Sequence, residues 1–70
     1  MKNRIKVLRA ELSISQDYLA QQLGVSRQTI HAIENNKYSP SLSLGMSIAK
    51  LFNKTVEEVF QMEEETEKEK

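Results

Sequence analysis

Arg27, Gln28 and His31 are one and four positions apart, a spacing that gathers long polar side chains on one face of a helix. Such a row can hydrogen-bond to flat, patterned edges. Gln28 can pair bidentately with adenine, Arg27 with guanine or with a phosphate, and a neutral His31 offers one donor and one acceptor. A helix fits the major groove of B-DNA, where each base pair shows a distinct donor and acceptor pattern. Ala32 and Asn35 lie on the same predicted face. Small polar and basic groups around it suit the phosphate backbone: Ser15, Gln16, Ser26, Asn35, Asn36, Lys37, Tyr38 and Ser39. Two readings are open for Tyr38, a phosphate contact or a cover over the edge of the core. The whole row also has the composition of an ordinary solvated helix face, and the elements that precede it weigh against that blander reading.

Those elements are two short helical patterns hinged on Gly24. Ser15 is an N-cap candidate, and Leu19, Ala20 and Leu23 follow as one apolar stripe. Glycine tolerates the left-handed backbone just past a helix, so Gly24 predicts a sharp turn. Val25 then fills the angle between the helices. Ser26 caps the second pattern, and Ile30 and Ile33 supply its buried stripe.

Helices are expected on either side of this pair. Ile5, Leu8 and Leu12 form the stripe of a first helix, interrupted by Ser13. Pro40 forces a turn, Ser41 can cap, and Leu44, Ile48, Leu51 and Phe52 share one face up to Asn53 and Lys54. Gly45 inside this helix costs about 1 kcal/mol against alanine, which close packing is expected to offset. Thr55 with Glu58 forms a capping box for a short last helix, VEEVF. Its Val56, Val59 and Phe60 present more apolar surface than so short an element should expose, and closure of the subunit's own core is one way to cover it.

The stretch SQDYLAQQLGVSRQTIHAIENNKYSPSLSLGMSIAKLFN resembles the phage repressor and Cro type of helix-turn-helix, also called the xenobiotic-response-element family of bacterial regulators. It looks closest to the small dimeric repressors of the cytolysin-operon-repressor type. The likeness covers about residues 4 to 62 and rests on several motifs in register: SQ before the first of the paired helices, the AxxLGVS turn, the ExNK segment and the Pro40 loop. It implies an all-α, compact five-helix bundle whose third helix enters the major groove, and a symmetric dimer on a palindromic operator, with Val56, Val59 and Phe60 buried against the second subunit across a two-fold axis. It also implies a short two-stranded element between the N-terminal residues and the FQM segment. Carried over by position, Gln16 and the ends of the third helix match phosphate contacts, and Arg27, Gln28 and His31 match base-facing sites. Arg9 and Glu34 match a partly buried ion pair between the first and third helices; the plain reading of the same two residues is an unremarkable surface pair. Ala32 departs from members with a longer polar side chain there, which implies one base contact fewer.

Composition bounds these expectations. Seventy residues make one small, marginal core. Residues 1 to 62 are read as the DNA-binding domain and 63 to 70 as an acidic, flexible tail. Net charge is zero, yet residues 1 to 56 carry eight Lys or Arg against three acids, and residues 57 to 70 carry two Lys against seven Glu. A basic body with an acidic tail can still bind DNA if the tail lies away from the contact face. There are no cysteines, hence no disulfide and no thiolate zinc site. No apolar run approaches the about 20 residues of a membrane span, and MKNRIKVLR lacks a signal-peptide core, so a cytoplasmic location is expected. His31 is the only histidine and no phosphate-cradling glycine loop occurs, so neither enzyme chemistry, a cofactor, a metal nor a small-molecule ligand is indicated. The expected function is a sequence-specific, homodimeric transcriptional regulator, a repressor by preference. A protein-interaction module or antitoxin on the same fold is the alternative.

Overall fold

The computed structural model describes residues 1–62; the acidic segment read as a tail lies outside the described residues. Strand β1 (Lys2–Asn3) leads into α1 (Ile5–Leu12), α2 (Gln16–Leu23), α3 (Arg27–Glu34), α4 (Leu42–Leu51) and α5 (Val56–Val59), and the chain closes with β2 (Phe60–Gln61). The two strands pair antiparallel, Lys2 opposite Gln61 and Asn3 opposite Phe60. This is the mostly helical, five-helix arrangement with a short two-stranded element that the sequence led us to expect.

Local chemistry sets the helix starts. The hydroxyls of Ser15, Ser26, Ser41 and Thr55 accept from the backbone N–H of Tyr18, Thr29, Leu44 and Glu58, satisfying donors that the first helical turn leaves over. Glu58 returns a bond to the Thr55 N–H at 2.8 Å and completes the capping box. Helix ends share one device. Ser13, Gly24, Asn36 and Asn53 each take a positive φ, and paired backbone bonds of the Schellman type close α1 to α4, as in Val25 N–H to Ala20 O at 3.0 Å after α2.

The core is formed by Ile5, Leu8, Leu19, Ala20, Ile30, Ile33, Ile48, Ala49, Phe52, Val59 and Phe60, with Ile14, Leu23, Val25, Leu44, Leu51 and Val56 packed partly against it. Three expectations change here. Leu12 is 53% exposed rather than part of the buried stripe, because α1 ends at that residue and Ser13 turns the chain away. Val59 is fully buried and Phe60 nearly so within this one chain, and Phe60 lies in β2, not in the last helix. Those two side chains are therefore satisfied by the protomer's own core, and only Val56 of the expected interface triad keeps part of its surface. Gly45 also differs. A Cβ placed there would lie 3.7 Å from Phe60 Cε2 and 4.0 Å from Pro40 Cγ, ordinary van der Waals contact, so packing does not demand glycine.

Candidate nucleic-acid interface

Helix α3 divides cleanly into two faces. Ile30 and Ile33 are buried, as the stripe predicts, while Arg27, Gln28 and His31 are exposed. Ala32 is half-buried rather than on the open face. A shallow cleft of about 350 Å³ is lined by Gln16, Arg27, Gln28 and His31, so four residues singled out by type and spacing converge. The short Gly24 turn makes this possible, because it folds α3 back against α2 and lets the Arg27 side chain reach Gln16 and Asp17 in the first turn of α2.

Below the cleft lies a charged network. Glu34 has a fully buried side chain, and its carboxylate accepts from Arg9 Nε at 2.6 Å, Arg9 Nη2 at 3.2 Å and Gln16 Nε2 at 3.0 Å. Arg9 Nη1 also donates to Ile14 O at 3.0 Å. Bidentate, charge-assisted bonds of this kind offset part of the cost of taking a carboxylate out of water, and the Gln16 amide adds a third donor to the two from Arg9. One ion pair thereby joins α1, the α1–α2 link, the first residue of α2 and the last residue of α3.

The network also orients Gln16. With Nε2 committed to Glu34, its Oε1 faces outward and accepts from Arg27 Nε at 3.5 Å. Arg27 additionally approaches Asp17 Oδ1 at 3.9 Å. At the other end of the helix, Asn35 Nδ2 donates to His31 O at 2.8 Å and lies 3.3 Å from His31 Nε2, which steadies the imidazole.

The expected phosphate-contacting residues fall into two groups. Ser15 and Ser26 spend their hydroxyl lone pairs on capping, with Ser26 Oγ also 2.9 Å from Thr29 Oγ1. Asn35, Asn36, Lys37, Tyr38 and Ser39 form a continuous exposed stretch after α3. Tyr38 is 50% exposed. Sequence reasoning did not single out Asp17, whose carboxylate reaches Arg27 only because the turn folds α2 against α3. Among the described residues no cluster of three His, Cys, Asp or Glu could hold a metal ion.

Two capped helices across a glycine turn, the second with an apolar inner and a polar outer face, define a helix-turn-helix. The chain belongs to the helix-turn-helix family, whose pattern matches residues 5–59. It is 51% identical over 65 residues to an uncharacterized HTH-type transcriptional regulator of Methanocaldococcus jannaschii, covering 93% of this chain and 98% of that one. A regulator of the same description from Bacillus subtilis is 49% identical with the same coverage. Among solved structures, one described as a "putative DNA-binding protein from Bacteroides fragilis" superposes with a TM-score of 0.75 at 38% identity, covering 83% of this chain and 94% of its own.

Proposed function

We propose that this protein is a sequence-specific DNA-binding transcriptional regulator, a repressor that occupies a palindromic operator as a homodimer without cofactor. The observation that carries the reading is the convergence of Gln16, Arg27, Gln28 and His31 on one open cleft, over a helix whose inner face and last carboxylate are locked into the core. Gln28 and His31 address base edges, and Arg27 exchanges Gln16 and Asp17 for a guanine or a phosphate. The stretch from Asn35 to Ser39 addresses the backbone. Rigid support matters because a bidentate contact discriminates only if the side chain arrives already oriented.

A homodimer is supported by the apolar side chains left exposed near Val56, namely Met1, Leu42 and Met46. Burial of that surface against a second copy would set two α3 helices about 34 Å apart, one turn of the duplex. Kinship with the small cytolysin-operon-repressor type belongs to this same proposal, as does the assignment of residues 1 to 62 to DNA binding. No helix among the described residues is long and apolar enough to cross a membrane, in keeping with a proposed cytoplasmic site of action.

Selection of bound sequences from a random duplex pool tests the reading. A recovered inverted repeat with half-sites one helical turn apart is expected. Log affinity for that duplex should fall linearly with log salt, by about 0.9 per phosphate neutralised. A pool that shows no enrichment, or affinity that is flat with salt, would overturn it and favour a protein-binding role for the same face.

A further inference from the structure

Asn3, the second residue of β1, reaches across the fold to the end of α3. Its Oδ1 accepts from the Ile5 N–H at 3.1 Å, which turns the amide nitrogen away from its own segment. Nδ2 then donates to Ile33 O at 2.9 Å and to Asn36 Oδ1 at 3.2 Å, thirty and thirty-three positions further along the chain. With all three bonds made, oxygen and nitrogen of this half-buried amide cannot exchange places.

What Asn3 grips is the point where the chain leaves the reading helix. Asn36 takes φ 62, a left-handed conformation that asparagine tolerates better than most residues but does not prefer. Its N–H bonds Ile33 O at 3.1 Å, and the Lys37 N–H bonds Ala32 O at 2.9 Å. Helix ends fray, and Arg9 and Gln16 hold α3 at Glu34, two residues short of this turn. The added amide fastens this end to β1, which is itself anchored by pairing with β2 and by the Arg4 N–H on Val59 O at 2.9 Å. Val59 is fully buried, so the loop is tied by short steps to the centre of the core. Immediately beyond the clamp come Lys37 and Tyr38, both exposed.

We propose that Asn3 is a positioning residue for DNA binding, whose amide fixes Asn36 and thereby aims Lys37 at a backbone phosphate. The proposal rests on the DNA-binding reading above. A purely structural Asn3 would fasten β1 to the body and leave the phosphate contacts alone, and the two roles separate in the salt dependence of binding.

Asn3→Ser keeps a short acceptor for the Ile5 N–H, carries no charge and cannot span to Ile33 or Asn36. Affinity for the selected operator is measured by fluorescence anisotropy over a range of salt, at temperatures well below each variant's melting transition. Asn3→Ser is expected to lower affinity about five-fold near physiological salt and to make the log–log slope shallower by about 1.8, the loss of one phosphate contact in each of the two subunits. Lys37→Ala should do the same, and the double variant should show no further change in slope. Asn36→Gly keeps the left-handed turn while removing Oδ1; loss of its own uncharged backbone contact lowers affinity but releases no counterion, so a shallower slope, smaller than that of Asn3→Ser, still reports Lys37 if Asn3→Ser does not fold. Wild-type binding that depends on salt, with unchanged slopes in the folded variants, overturns the role of Asn3 and leaves the DNA reading standing. Wild-type binding that is flat with salt overturns both.

Discussion

On the inward side of α3, Glu34 meets Arg9 at 2.6 Å with its side chain fully buried, whereas on the outward side Arg27 approaches Asp17 only to 3.9 Å with both side chains 66% exposed. The residue types are much the same, and the surroundings decide what each pair does. Away from water the carboxylate accepts three side-chain hydrogen bonds and cannot be released without disrupting its neighbourhood. In water the second pair is screened, contributes little to stability and holds Arg27 loosely. A reading helix needs both conditions at once: a fixed frame beneath and cations above that exchange partners easily.

Breaking the inward pair should have the largest effect. Glu34→Ala leaves the Arg9 guanidinium and the Gln16 amide without their shared acceptor, and a loss of about 3–5 kcal/mol is expected, measured by urea denaturation. For a domain this small that approaches the whole folding free energy. A variant as stable as wild type would mean that the network is incidental. Next comes the outward face. Gln28→Ala should leave the melting temperature unchanged while weakening operator binding by about 1–3 kcal/mol per half-site and relaxing preference at one base pair in each; equal losses on operator and random duplex would remove Gln28 as a base reader.

A smaller effect is expected at the edge of the inward network. Ser13 holds φ 58 in the turn that presents Ile14 O to Arg9. Ser13→Gly relieves a left-handed conformation that is costly for residues with a Cβ, so stability should rise by up to about 1 kcal/mol with DNA affinity unaltered. A fall in the melting temperature would show that the serine side chain contributes more than the backbone relief. Smallest in stability is Asp17→Asn. The exposed pair it removes contributes about 0–1 kcal/mol, yet DNA binding should strengthen, because one negative charge leaves the contact face and Arg27 loses a competitor. Weaker binding in Asp17→Asn would show that the aspartate presents Arg27 rather than detaining it.

The outward face was legible because its signals are local. A serine two or three residues ahead of the N–H it caps, or a polar row at one and four positions, depends on nothing beyond a helical turn. The same holds for Thr55 with Glu58. The Arg9–Glu34 pair spans twenty-five positions, and only likeness to a known family pointed to it. Val59 and Phe60 show where pattern fails. Apolar periodicity says that a side chain is buried, not whether its own chain or another buries it, and α5 is only four residues long before the backbone becomes a strand. Asn3 left no trace in the sequence at all. Its partners lie thirty residues away, and one asparagine near the start of a chain looks like any other turn residue.

The pairing of β1 with β2 also has a temporal side. Lys2 and Asn3 find their partners in Gln61 and Phe60, so β1 cannot pair until residues 60 and 61 have been made. During translation the paired helices emerge long before Val59 and Phe60, which close the core from the far end. A ribosome-bound chain halted short of residue 60 has neither this closure nor a mate for its first strand, and its apolar interior stays open to water.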